Sequence, residues 1–153
     1  LGSYDRAKPL YMKCMEMEKK ILGEDNADFA ITINNIGNLY EDLNQLDSAE
    51  YYFKKSLVLR KKIHGPDSKS YSTALNNLGL LHYKKEEYNI AIPLFEDCVD
   101  IRFEVLGENH PSYAVAINNL ALAFWKLNEF EKAEKLYLKS LEMAIVGVIT
   151  VLV

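Results

Sequence analysis

The sequence predicts an all-α solenoid of stacked helix-turn-helix units, and three observations carry that expectation. Asn pairs recur at 34/35, 76/77 and 118/119, a spacing of 42 each time. Gly23, Gly65 and Gly107 keep the same period, as do Ala7, Ala49, Ala91 and Ala133. Between these landmarks the apolar residues follow the i, i+3, i+4, i+7 rhythm of one buried helical face. A fixed period in this range means supersecondary units that bury their apolar faces only against their neighbours.

The elements follow in order. Residues 4–22 carry Ala7, Tyr11 and Cys14 in register with the second helix of later units. Residues 1–27 therefore read as the second half of a partial unit. The first full unit, 28–69, opens with a helix over 28–43, where Ile33, Ile36, Gly37 and Tyr40 share a face. Asn44-Gln45 breaks it, because Asn competes for backbone hydrogen bonds and favours turns. A second helix over 47–64 carries Ala49, Tyr52, Phe53, Ser56, Leu57 and Leu59. Gly65-Pro66-Asp67 stops that helix, since Gly accepts the left-handed C-terminal position and Pro cannot extend it.

The unit at 70–111 repeats this plan with helices over 70–85 and 89–106. Leu75, Leu78, Gly79 and His82 mark the first, and Ala91, Phe95 and Cys98 the second. The unit at 112–146 has helices over 112–127 and 131–146, marked by Ile117, Leu120, Ala121 and Phe124, then Ala133, Tyr137 and Ser140. Small residues at Gly37, Gly79 and Ala121, and at the four alanines, let paired helices approach while a large ring nearby fills the gap. The apolar tail 147–153 has no polar face, and its Ile, Val and Thr favour extended structure. The helix is expected to fray near Gly147, with the tail buried on the open end, in a groove or on a second copy. An appended segment or a truncated membrane span are alternatives for the tail, although the ten-residue stretch 144–153, "AIVGVITVLV", is too short to cross a bilayer.

At 153 residues with 49% hydrophobic and 26% charged content, the chain has the composition of one soluble globular domain. A net charge of −4 with both signs interspersed disfavours a nucleic-acid partner, which calls for a basic stripe. Lys61-Lys62 and Lys84-Lys85 are read as solvated helix faces. Cys14 and Cys98 are expected as free, small buried hydrophobes of a reducing, cytoplasmic compartment. Two units part them, about 20 Å by helix diameters, beyond the reach of a disulfide. With no initiator Met and no signal peptide, the chain reads as excised from something longer.

Ile33/Ile36/Gly37/Tyr40 followed by Ala49/Phe53 resembles the tetratricopeptide repeat, large-x-x-Leu-Gly-x-x-Tyr and then Ala-x-x-x-Phe. The longer unit here, with "LGENHP" and "NNLA" within 106–121, is similar to the repeats of kinesin light chains. HEAT and armadillo arrays share the period but lack the Gly/Ala pair at these offsets. The resemblance covers 1–146 and implies a right-handed α-solenoid whose first helices line a concave groove. It also implies a protein-binding scaffold rather than an enzyme. His82 departs from the family's Tyr, and is expected as a packed imidazole.

By helical geometry Asn34 lies about 100° round from the buried face, and Asn38, Glu41 and Asp42 continue that second face. Asn34, Asn76 and Asn118 would then form a ladder along the groove, whose carboxamides can donate to and accept from a peptide backbone. A second column, Asn35, Asn77 and Asn119, either joins in binding or holds neighbouring units in register. Groove chemistry passes from acidic (Glu41, Asp42) to aromatic and basic, through Leu80, Tyr83 and Lys84 to Leu122, Trp125 and Lys126. Trp125 either anchors a ligand beside Lys126 or packs on a further unit. The carboxylate clamp of chaperone-binding relatives has asparagines matching Asn38 and Asn77. Its basic positions hold Asn34, Val115 and Asn119 here, so that clamp is not expected.

No phosphate loop, dinucleotide fingerprint, zinc pattern or nucleophile elbow occurs, so neither catalysis nor a cofactor or metal is expected. The expectation is a scaffold that binds an extended peptide of a partner protein. The peptide-binding candidates are Asn34, Asn38, Asn76, Asn77, Asn118, Asn119, Tyr83, Lys84, Leu122, Trp125 and Lys126. The alternative is a structural spacer or self-assembly module, with self-association through the tail.

Overall fold

Each unit begins where a side chain can cap a helix. Asn26 Oδ1 accepts from the Asp28 amide at 2.8 Å, and Ser68 Oγ accepts from the Tyr71 amide at 3.1 Å. His110 Nδ1 does the same for the Ser112 amide at 3.1 Å, with Pro111 in the first helical position. These caps satisfy amides that have no partner inside the helix. The second helices end on Gly65 and Gly107, at φ 85° and 80°, which a Cβ would strain. The turns inside the units place Asn44, Glu86 and Asn128 at φ 57°, 62° and 61°, one equivalent residue per unit.

The resulting computed structural model describes the backbone of residues 2–152 and the side chains of residues 6–143. Among the described residues there are helices only: α1 (Gly2–Ile21), α2 (Ala27–Asp42), α3 (Leu46–His64), α4 (Lys69–Lys84), α5 (Tyr88–Leu106), α6 (Pro111–Lys126) and α7 (Phe130–Leu152). The expected boundaries hold within two residues except at the C-terminal end of the chain. At the C-terminus the expectation is corrected: α7 runs to Leu152 rather than ending at 146 or fraying at Gly147. One helical glycine costs only about 1 kcal/mol, and no proline follows to end the ladder. Burial of the tail's side chains, and self-association through it, lie outside the described residues.

Within a unit the two helices meet at a small residue. A Cβ on Gly37 would lie 2.7 Å from Phe53 Cδ1, and one on Gly79 would lie 2.6 Å from Phe95 Cε1. Hydrogen from carbon is therefore the whole space available, and the Phe ring fills it. Ser56 Oγ donates to Ala30 O at 3.0 Å, and Cys98 Sγ to Ser72 O at 3.2 Å, tying the same helix pairs. Cys14 occupies the equivalent position in α1, yet it is exposed, which corrects the expectation of burial. Its thiol donates to Glu18 Oε1 at 3.4 Å.

Between units, each second helix receives the next first helix. Leu78 and Leu81 of α4 pack on Ala49 and Phe53 of α3, with Leu46 and Leu57 beside them. Leu120 and Ala123 of α6 pack on Ala91 and Phe95 of α5, with Val99 beside them. Each such buried Leu or Phe contributes about 1.5–3 kcal/mol. Arg60 and Arg102, buried and 42 residues apart, donate through Nη1 to the carbonyls of Ser70 at 3.1 Å and Ser112 at 2.7 Å. Lys85 adds a charged link to Glu50 Oε2 at 2.6 Å. His82 is packed as expected, 4% exposed, with Nδ1 2.6 Å from Glu87 Oε2.

Candidate functional site

The helices α2, α4 and α6 lie side by side on one face, joined directly by amides. Asn77 Nδ2 donates to Asn34 Oδ1 at 2.9 Å, and Asn119 Nδ2 donates to Asn76 Oδ1 at the same distance. The two asparagine columns therefore interlock across units, the second column of one unit gripping the first column of the unit before. Asn34 and Asn76 are 6% and 7% exposed, and Asn118 is half-buried. This differs from a free ladder: two of its three rungs have their oxygens engaged already. A buried carboxamide needs such partners, because an unpaired one costs about 1–3 kcal/mol.

Other candidate residues divide in two. Tyr83 is half-buried, packs on the Phe95/Phe124 core and meets Tyr88 edge to face at 5.3 Å. Lys84 reaches back to α2 and donates to Glu41 O at 3.2 Å and Oε1 at 3.4 Å. The acidic and basic ends expected of the groove thus partly neutralise each other. Asn38, Leu80 and Leu122, equivalent residues of three successive units, are all exposed. Trp125 is also exposed, with Lys126 Nζ 5.6 Å from its ring centroid. The structure adds Ile31 and Val115, 48% and 50% exposed, at equivalent positions of α2 and α6. Their signal in the sequence was a bulky apolar residue outside the buried stripe, repeated two periods apart.

A family model of the tetratricopeptide repeat matches residues 1–62, 28–102 and 70–145. The chain belongs to the tetratricopeptide repeat family. Such proteins are generally non-enzymatic and mediate protein–protein interactions. The tetratricopeptide array superposes on BtubC (BKLC) of P. vanneervenii with TM-score 0.87 at 21% identity, over 95% of this chain and 58% of that one. A Q17M form of a putative kinesin light chain from Podosopora anserina, with nearly identical TPR-like repeats, gives 0.79 at 18% identity, over 93% and 67%. The N-terminal domain of stress-induced protein-1 from C. elegans gives 0.63 at 21% identity, over 77% and 87%. At these identities the likeness is one of fold. A search of curated proteins finds no significant match. Among the described residues no helix is long and apolar enough to cross a membrane.

Proposed function

We propose that this tetratricopeptide array is an interaction scaffold that holds an extended segment of a partner protein along the face of α2, α4 and α6. One observation carries the proposal: Ile31, Leu80, Val115, Leu122 and Trp125 are exposed on helices whose other apolar residues are buried or half-buried. An apolar row of this kind, rimmed by Asn38 and Lys126, marks a contact surface. The partner segment would place apolar side chains on Leu80, Leu122 and Trp125 and an acidic group near Lys126. Asn118 and Asn119, together with the amide groups of Asn34, Asn76 and Asn77 that the inter-unit bonds leave unused, are its candidate backbone contacts. The free thiols of Cys14 and Cys98 support a reducing, cytoplasmic setting.

The experiment is peptide selection from a random display library, comparing the wild-type chain with Leu80→Asp/Leu122→Asp. Enriched peptides that the variant no longer holds, at unchanged melting temperature, support the proposal. Absence of any enriched peptide, or equal capture by both proteins, sinks it. The second reading, a structural spacer, draws on the Asn34–Asn77 and Asn76–Asn119 bonds, which serve register without any ligand. Replacing Asn34, Asn76 and Asn118 together by Ala separates the two: lost stability with no lost ligand favours the spacer.

A further inference from the structure

The exposed sides of α3 and α5 carry opposite charge at equivalent positions. In α3 that side presents Tyr51, Lys54, Val58, Lys61 and Lys62, all exposed, with Lys55 half-buried beside them. One period of 42 residues later, α5 presents Pro93, Glu96, Asp97, Asp100, Phe103 and Glu104, all exposed. Three of the lysines have partners in their own chain: Lys54 with Glu50 at 2.6 Å, Lys62 with Asp25 at 2.6 Å and Lys55 with Glu24 at 3.9 Å. None of the four acids of α5 makes an ion pair among the described residues. Glu96 and Glu104 each stand four residues from Asp100, a spacing of like charges that destabilises the helix carrying them. Opposing cations would relieve that repulsion, and the chain itself supplies none there.

We propose that these two helices form a two-fold interface with a second copy of this chain, α3 of each copy lying on α5 of the other. Short turns make consecutive helices antiparallel, so α3 and α5 run in the same direction. A two-fold axis parallel to both helices, midway between them, sets each outward residue of α3 against its equivalent in α5 of the second copy. The pairs are Lys54 with Glu96, Lys62 with Glu104, Tyr51 with Pro93, and the Lys61 ammonium with the Phe103 ring. Each pair occurs twice, because a two-fold contact is isologous. Within one chain the same residues point the same way from neighbouring helices and do not meet. A second copy is singled out because the register itself supplies the match: acid stands where base stands one unit earlier. An ammonium has three donors, so Lys54 and Lys62 can keep Glu50 and Asp25 while taking another carboxylate. Val58 against Asp100 is the one pair without attraction. This surface shares no residue with the row on α2, α4 and α6, and the two proposals stand or fall separately.

The test is sedimentation of the intact chain over a range of concentrations. A monomer–dimer equilibrium that weakens as salt is raised is expected. Lys54→Glu/Lys62→Glu and Glu96→Lys/Glu104→Lys should each raise the dimer dissociation constant about tenfold or more, since every reversed pair acts twice. Lys135→Glu, an exposed charge of α7 outside the interface, should leave it unchanged. The decisive arm mixes the two reversed chains. Each alone should be largely monomeric, yet the mixture should form a one-to-one dimer as tight as the wild type, because each α3 again meets an α5 of opposite sign. Circular dichroism checks that the variants keep their helix content. Should reversal disturb folding, Glu96→Gln/Glu104→Gln removes the charge alone and should still weaken the dimer. A chain that is monomeric at every concentration, a dimer indifferent to these substitutions, or a mixture of folded reversed chains that stays monomeric would each overturn the proposal.

Discussion

The carboxamide of Asn77 donates to that of Asn34 across 2.9 Å, so α4 is tied to α2 by a side-chain hydrogen bond and to α3 by apolar packing. Removing either partner leaves the other half-buried or buried and unpaired. Asn34→Ala and Asn77→Ala should each destabilise the fold by about 1–3 kcal/mol. The double variant should cost less than the sum, with a coupling of about 1 kcal/mol measurable by urea unfolding. Additive losses would mean that the pair does not interact in solution.

Acid should weaken the contact between the first and second units. Hydrogen bonds from the Lys54 and Lys85 ammonium groups hold the Glu50 carboxyl at about 2, against an ordinary value of 4.5. A group depressed in the folded state stabilises the fold above its unfolded value, and that contribution is lost as pH falls through the folded one. The window here is therefore between about 4.5 and 2. Glu50→Gln should flatten the pH dependence of unfolding in that window and leave its neutral side little changed in slope.

The glycine at the helix crossing leaves no room for a methyl. Gly79→Ala brings Cβ to 2.6 Å from Phe95 Cε1, so the ring must shift. Overpacking of this kind costs about 1–3 kcal/mol. Chemical denaturation should show the loss, and Gly79→Ala with Phe95→Leu should recover part of it. The third unit makes the comparison, since Ala121 and Tyr137 stand at the positions equivalent to Gly79 and Phe95.

Glu86 holds a left-handed backbone conformation that costs it more than the asparagines at the equivalent positions. It sits at φ 62°, where Asn44 and Asn128 stand in the other units. Asn tolerates this region better than Glu. Glu86→Asn should raise stability by about 0.5–1 kcal/mol, read as a higher melting temperature. An unchanged or lower value would show that Glu86 makes a compensating contact.

The two thiols should differ in reactivity. Cys98 is buried, and burial pushes its thiol up to about 11; Cys14 is exposed, although its hydrogen bond to Glu18 raises it too. The thiolate is the reactive form, so a maleimide should label Cys14 alone in the native protein and both after denaturation. Labelling of Cys98 at the rate of Cys14 would contradict the packing of α5 on α4.

Much of the fold was legible because a 42-residue period exposes its own landmarks. Gly37 and Phe53 announce a helix crossing, and Gly65-Pro66 announces its end. The interlocked amides were only half legible. Helical geometry places Asn34 and Asn35 on adjacent directions, but which column meets the next unit depends on how far one helix is offset from its neighbour. That offset is set by packing, not by spacing along the chain. Arg60 and Arg102 went unread for a related reason: a buried guanidinium looks like surface charge until a carbonyl from another helix is seen in front of it. The exposure of Cys14 was not legible, because the period puts it in register with the buried Ser56 and Cys98.

Packing in this molecule joins consecutive helices and α4 with α6. Such an array can change length in whole steps. Duplicating one 42-residue stretch in the gene would add a layer with its seat, its amide and its cap already matched to those on either side. Existing layers would keep the neighbours they have. Selection acting on a protein of this kind can therefore vary reach first and the chemistry of individual rungs afterwards, since neither change obliges the other.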